Sequence, residues 1–279
     1  MTASAPPAAA SRAAGGDPAI RISDVGKSYL EHPVTPRDWA IRHISLEVHR
    51  GEFFVLLGPS GCGKSTLLRL IAGIAEVTEG SVMTDEGPVT GPSSRRGMVF
   101  QSLETPLFDW LTVRQNAEFG LRMAGVPSRE RRETVDGYLA LVGLRDHDRK
   151  YPHELSGGMK QRLQIARALA TDPAMLLMDE PFASVDAQTR RLLQTEVQRV
   201  WAETGKTVVY VTHDIREALL LGQRIVVMTS GPAASIGEIF VNDAPYPRDD
   251  LAEGFAVMFR RVEDRIVQEV NKGRGEGAA

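Results

Sequence analysis

Apolar positions recur along this chain with a period of two in some stretches and near 3.6 in others, and the two periods predict its elements. Ala19-Ile20-Arg21-Ile22 opens a strand, with a turn around Gly26-Lys27-Ser28-Tyr29 and a loop over 32–38 that holds Pro33 and Pro36. Residues 40–48 alternate again, turn at Arg50-Gly51, and lead into the uninterrupted apolar run Phe53-Phe54-Val55-Leu56-Leu57. Leu67, Leu68, Leu70 and Ile71 then mark a helix that stops at Gly73. Hairpin-like sequence follows from Gly80 to Pro92, and a short strand over 97–100 ends at Gln101.

From Thr112 to about Leu155 the chain turns helical and charged, with helices over 113–124 and 128–142 and breaks at Gly125, Pro127 and Gly143. This stretch reads as a helical insertion between two strands. Ser156 caps a further helix, along which Met159, Leu163, Ala166 and Leu169 or Ala170 share a face. Met175-Leu176-Leu177-Met178 is a buried-type strand, and Asp186 caps a helix over 187–204 that stops at Gly205. Strands are expected over 207–212, 224–229 and 236–241, and Asp214 with Glu217 forms a capping box. Leu251, Phe255, Phe259, Val262, Ile266 and Val270 make one stripe of an amphipathic helix, which packs on the domain itself or docks a partner. Residues 271–279 are expected to fray.

The candidate chemistry concentrates between the first apolar run and the first helix, at Gly58-Pro59-Ser60-Gly61-Cys62-Gly63-Lys64-Ser65-Thr66. Strand, glycine loop, then amphipathic helix is the context of a phosphate-binding loop. Glycines let successive N–H groups converge on phosphate oxygens, and the helix N-terminus adds partial positive charge. Lys64 would reach the β- and γ-phosphates and the Ser65 hydroxyl would ligate Mg²⁺. A plain glycine-rich turn with an incidental lysine is the alternative, and the full pattern argues against it. The chain is therefore read as binding a nucleoside triphosphate.

Other residues extend that reading. Tyr29 offers a flat π surface to the adenine, or else packs on the small sheet. Gln101, at a strand's carboxyl end, can position water or Mg²⁺. Asp179 and Glu180 end an apolar strand and point in different directions, so Asp179 suits Mg²⁺ and Glu180 suits polarising the attacking water. His213, at a third strand end, faces the γ-phosphate or is an ordinary loop residue. Ser156-Gly157-Gly158 at a helix start makes a second anion-binding corner. One nucleotide does not need two such corners from one subunit, which suggests that the second serves a nucleotide held by another copy.

Composition narrows the classes. The chain has 279 residues, 42% hydrophobic and 25% charged, as in an ordinary soluble globular protein. A formal net charge of -3 provides no field that would attract nucleic acid. No apolar run approaches the roughly 20 residues needed to span a bilayer. Cys62 is the only cysteine, so no intrachain disulfide forms. Beside Lys64 its thiolate could be favoured, or it is simply a small residue tolerated in the loop. The Ala/Pro/Gly-rich opening over 1–18 reads as a disordered leader without a charged-then-apolar signal pattern, and cytoplasm is the expected compartment.

With these residues in place, the sequence resembles the ATP-binding subunits of ABC transporters. The loop at 58–66 matches Walker A, Gln101 the Q-loop, Leu155-Ser156-Gly157-Gly158 the family signature, 175–180 Walker B, Asp186 the D-loop and His213 the switch histidine. The resemblance covers about residues 19–245 in the family's order. Gly97-Met98-Val99-Phe100-Gln101, Trp110-Leu111-Thr112-Val113 and Asp186-Ala187-Gln188-Thr189-Arg190 look like the nitrate, sulfonate and taurine importers. Two places depart from that pattern: Leu107-Phe108-Asp109-Trp110 stands where Leu-Leu-Pro-Trp is usual, and Ala183-Ser184-Val185-Asp186 where Ser-Ala-Leu-Asp is commoner.

The resemblance implies an α/β fold: a P-loop ATPase core with a small antiparallel β subdomain and a helical insertion over about 112–165. The cassette would span 19–245, and 246–279 would be a C-terminal amphipathic helix and tail. It implies ATP and Mg²⁺ as ligands, and two cassettes meeting head to tail with each ATP between one copy's 58–66 and the other's Ser156-Gly157-Gly158. A membrane permease would contact 101–113, an external solute-binding protein would act through that permease, and the subunit would sit on the cytoplasmic face of the inner membrane. An ABC ATPase acting on nucleic acid would be expected to carry long coiled-coil insertions or paired cassettes. A purely regulatory module would not need Glu180 and His213.

Overall fold

The runs that read as buried strands assemble side by side. The structure, a computed structural model, describes residues 17–100, 107–183 and 185–276. Its elements in chain order are β1 (Pro18–Ser28), β2 (Trp39–His49), β3 (Phe53–Leu57), α1 (Lys64–Ala72), β4 (Glu79–Thr84), β5 (Gly87–Pro88), β6 (Arg96–Val99), α2 (Val113–Met123), α3 (Ser128–Leu141) and α4 (Gly157–Ala170). There follow β7 (Met175–Asp179), α5 (Ala187–Thr204), β8 (Thr207–Thr212), α6 (Ile215–Leu221), β9 (Arg224–Met228), β10 (Ile236–Val241) and α7 (Glu253–Glu276).

A six-stranded sheet runs in the order β10-β9-β3-β8-β7-β6, parallel from β9 to β6 with β10 antiparallel at one edge. Every residue of β3, β7 and β8 is buried, which explains the apolar runs 53–57, 175–178 and 208–211: a parallel strand covered on both faces has no polar side to show. The alternation of β3 divides the interior into two cores. Phe53, Val55 and Leu57 face the side packed by the helical insertion, α5 and α6, whereas Phe54 and Leu56 face α1 and the small sheet. Burying a side chain of this size contributes about 1.5–3 kcal/mol. Trp201, near the end of α5, meets Phe53 edge-on at 5.8 Å and donates its indole N–H to the Gly51 carbonyl at 3.0 Å. The second sheet, β2-β1-β4-β5, is antiparallel throughout and closes over α1.

Between β6 and β7 the chain leaves the sheet to build α2, α3 and α4, the helical insertion. Val113, Ala117, Val135, Leu139, Leu163, Ala166 and Leu169 are all buried within it. Asn116 is wholly buried in α2: it accepts from the Phe108 N–H at 2.8 Å and donates to the carbonyls of Phe108 and Leu111.

Several expectations need correction. Residues 26–28 do not turn but remain in β1, which absorbs its irregularity through register shifts and a left-handed Asp24 at φ 46°. Pro18 already belongs to that strand. Helix α7 begins at Glu253, leaving Leu251 outside it and 88% exposed, so Leu251 is not part of the packing stripe. Val262 is fully buried, and Phe255, Met258, Phe259 and Ile266 pack on the main core, so this helix lies on its own domain. It also continues through 276 instead of fraying from 271.

Candidate functional site

Three neighbouring strands, β3, β8 and β7, deliver their carboxyl ends to one edge of the sheet, the place where open α/β sheets bind ligands. After β3 the chain curls through Gly61 at φ 82° and Gly63 at φ 83° before entering α1. At Gly63 a β-carbon would overlap the Cγ2 methyl of Ile41, so only glycine lets the loop lie this close to β2. Lys64 is 4% exposed, and its ammonium donates to the carbonyls of Gly58 and Pro59, both at 2.8 Å. Cys62 Sγ lies 3.8 Å from that ammonium. Burial nonetheless pushes the thiol up, outweighing the nearby charge, so Cys62 is a small buried residue and not a favoured thiolate.

Ser65 Oγ, in the first turn of α1, donates to Asp179 Oδ1 at 2.7 Å. Asp179 is the last residue of β7 and is 3% exposed. Burial raises its carboxyl above the usual carboxylate range, against the Ser65 hydrogen bond and the Arg69 charge. Glu180 follows at φ 40°, a left-handed conformation that turns it away from the line of β7. Its Oε2 lies 2.8 Å from His213 Nδ1, and because an ionised carboxylate can only accept, the proton of this bond sits on Nδ1. Within the chain, the partner of the His213 ring is thus the Glu180 carboxylate.

Tyr29 stands just beyond β1, 65% exposed, with its hydroxyl 3.3 Å from Thr66 Oγ1 and the Lys27 ammonium 5.3 Å from its ring centroid. It is not packed into the small sheet. Ser60 and Gly61 are exposed at the loop's tip. Gln101 and Ser184 lie outside the described residues.

A second group forms where α4 and α5 begin. Ser156 accepts from the Met159 N–H at 3.4 Å, and Asp186 accepts from the N–H groups of Gln188 and Thr189 at 3.1 and 3.0 Å. Those N–H groups draw the Asp186 carboxyl below its ordinary value. A β-carbon on Gly158 would come within 2.6 Å of Thr189 Cγ2, so Gly158 permits the two helix starts to touch. Ser156-Gly157-Gly158 and Asp186 therefore adjoin each other, while the hydrogen bonds of Ser156 among the described residues stay within its own helix turn.

The donor chemistry fits a hard divalent cation held jointly with phosphate oxygens. Ser65 and Asp179 present two oxygens side by side, and among the described residues no cluster of three or more His, Cys, Asp or Glu could hold a metal alone.

Sequence reasoning missed two partners. Asn116 clamps the turn that displays Phe108 and Trp110, the latter 74% exposed and 5.4 Å from the Phe108 ring centroid. Glu217 does not reciprocate the Asp214 cap: its N–H donates to Asp214 Oδ1, but its carboxylate turns inward to accept from Gln194 and Thr212. In each case the available signal was a polar residue at a position where helix periodicity calls for an apolar one.

Among the described residues no helix is long and apolar enough to cross a membrane. The family model described as "ABC transporter" matches residues 41–183. An uncharacterized ABC transporter ATP-binding protein of Methanocaldococcus jannaschii is 46% identical over 84% of this chain and 86% of its own length. A taurine import ATP-binding protein of Roseobacter denitrificans is 48% identical, covering 69% of this chain and 71% of its own. A nitrate import ATP-binding protein of Synechocystis is 46% identical, covering 73% and 76% respectively. Among solved structures, cbiO1 of Clostridium perfringens, part of an ABC transporter complex, superposes with a TM-score of 0.74 at 27% identity over 90% of this chain and 97% of its own. A dimeric ATP-binding cassette in a post-hydrolysis state with ADP and Pi superposes with a TM-score of 0.67 at 30% identity, covering 82% and 99%. The chain belongs to the ABC transporter family, as an ATP-binding, ATP-hydrolysing subunit.

Proposed function

We propose that this subunit powers import of a small solute, with nitrate, sulfonate, taurine or a close relative as the class, by hydrolysing ATP between two copies of itself. The observation that carries the reading is the convergence of Ser65 on Asp179 and of His213 on Glu180 at adjacent strand ends. The solute class rests on the names of the taurine and nitrate import relatives.

In this reading the N–H groups of 58–66 and the N-terminus of α1 cradle the phosphates, and Lys64 exchanges its bonds to the Gly58 and Pro59 carbonyls for phosphate oxygens. Tyr29 offers its exposed ring to the adenine. Mg²⁺, held by Ser65, Asp179 and Gln101, would offset the negative charge of the phosphates. Glu180 orients and polarises the attacking water, and the His213 N–H fixes the rotamer of that carboxylate. Asp179 and Glu180 divide the work because the strand ends between them and Glu180 turns aside. Catalysis is positioning and charge stabilisation, with no covalent intermediate on the protein.

Ser156-Gly157-Gly158 completes the site of the second copy, and Asp186, adjoining it through Gly158 and Thr189, lies at the same junction. The turn carrying Phe108 and Trp110 meets an integral membrane permease on its cytoplasmic side, and an external solute-binding protein acts through that permease. The exposed Trp110 ring held by the Asn116-clamped turn supports this contact. Glu180→Gln tests the reading: the variant should accumulate as an ATP-bound dimer on gel filtration with little turnover. Hydrolysis near that of the unmodified protein would exclude the role given to Glu180.

A further inference from the structure

Glu217 occupies the third position of α6, where a glutamate ordinarily reaches back through solvent to cap its helix. Here it is 5% exposed. Taking a carboxylate out of water is costly unless donors surround it, and donors do. Gln194 Nε2 of α5 donates to Oε1 at 3.1 Å, Thr212 Oγ1 of β8 donates to Oε2, and the buried Tyr210 phenol faces the same carboxylate.

These bonds bracket His213. Thr212 spends its hydroxyl proton on Glu217, and its oxygen then accepts from the Asp214 N–H at 3.0 Å. Asp214 in turn accepts from the Glu217 N–H at 3.1 Å and lies 3.8 Å from the Arg190 guanidinium of α5. Thr212 is thus tied to the Glu217 carboxylate directly, and Asp214 through the Thr212 hydroxyl and the Glu217 backbone N–H. A cavity of about 40 Å³ is lined by Glu180, Arg190, His213 and Glu217 together. Such a cavity is roomy enough for a water molecule with several polar partners.

We propose that Glu217 is a positioning residue for hydrolysis: it holds the Thr212–Asp214 turn so that His213 meets Glu180, and through Gln194 it ties that turn to α5, the helix capped by Asp186. A buried hydrogen-bonded network rigidifies what it binds, and a solvent-facing cap would not couple α5 to β8. The inference rests on the reading of Glu180 and His213 as the hydrolytic pair.

The test is steady-state ATPase kinetics on the full chain with Glu217→Gln, Thr212→Val, Thr212→Ser, His213→Ala and the Glu217→Gln/His213→Ala double variant. Glu217→Gln and Thr212→Val should each lower kcat about ten- to thirtyfold, the scale of one lost hydrogen bond to a charged group, with KM for ATP within about twofold. Thr212→Ser, which keeps the hydroxyl, should recover most of the rate. In the His213→Ala background Glu217→Gln should cost nothing further, because both changes act through the same imidazole. The His213 imidazole resonances, identified by their loss in His213→Ala, should be displaced in Glu217→Gln and Thr212→Val. That shift decides the matter if turnover of the double variant is too low to measure. Losses that multiply across the two backgrounds, unmoved imidazole resonances, or a normal kcat with only lowered thermal stability would overturn the proposal. A fully active His213→Ala would instead overturn the hydrolytic reading on which it rests.

Discussion

Gly63→Ala probes whether the phosphate loop owes its shape to its contact with the small sheet. Gly63 sits at φ 83°, where an L side chain costs about 1–2 kcal/mol. The new β-carbon would also overlap Ile41 Cγ2 and stand 3.2 Å from the Ala40 carbonyl oxygen, and Ile41 is wholly buried and cannot swing aside. Forcing a methyl into such a packed site costs about 1–3 kcal/mol more. Destabilisation of about 2–5 kcal/mol is therefore expected from the two costs together. Ile41→Leu removes the offending β-branch at nearly constant volume, for less than about 1.5 kcal/mol by itself. In the Ile41→Leu background the steric share should disappear while the backbone share remains, so the measured coupling should be about 1–3 kcal/mol. Urea unfolding of the four proteins measures this, with nucleotide binding to each as the functional companion. A Gly63→Ala variant within about 0.5 kcal/mol of the parent, or the same loss in both backgrounds, would refute the reasoning.

Other perturbations address the remaining parts. Ser156→Ala should weaken α4 by less than about 1 kcal/mol, because the cap bond it removes is long at 3.4 Å, yet it should reduce ATPase strongly while the monomer still binds ATP. Lost binding by the monomer would contradict action on a second copy's nucleotide. Replacing Trp110 with Ala should leave basal ATPase intact and reduce ATP-driven transport in vesicles containing the permease, and full transport would remove this turn from the interface. Burial lifts the Glu217 carboxyl above its ordinary range, so the folded state holds that proton more tightly than the unfolded chain. Stability then falls as pH rises through the usual carboxylate range toward the raised value. Glu217→Gln cannot titrate, so its melting temperature relative to the parent should climb across that interval, and a flat or falling difference would contradict the sign.

Much of the architecture can be read from the chain because parallel strands covered on both faces need apolar interiors, which β3, β7 up to Asp179, and β8 between its terminal threonines provide. Their ends are marked equally clearly: Gly58 follows one, Asp179 closes another, and His213 follows the third. Less legible was anything decided by competition between partners. Glu217 has the spacing of a capping box, but two buried donors, Gln194 and Thr212, offer its carboxylate more than the exposed backbone does. His213 could be assigned to a strand end but not to a partner, because the left-handed turn at Glu180 that brings the two together has no glycine to announce it. The stripe on α7 was extended one turn too far, since Leu251 fits the period while Glu253 starts the helix. Periodicity identifies a face; it does not say where the first hydrogen bond of a helix falls.

The pairing of Leu57 with Thr212 and of Asp179 with Val211 carries an implication for tolerance to mutation. A slip of one residue along a strand is about 3.3 Å and reverses the side to which every side chain points. Either effect exceeds what the 2.7 Å Ser65–Asp179 bond or the 2.8 Å His213–Glu180 bond can absorb. The alignment of three buried strands is thus itself a calibration of the chemistry. Substitutions at Val55, Leu177 or Val209, none of which meets the nucleotide in this arrangement, can detune turnover by shifting that alignment while leaving every reacting group in the sequence unchanged.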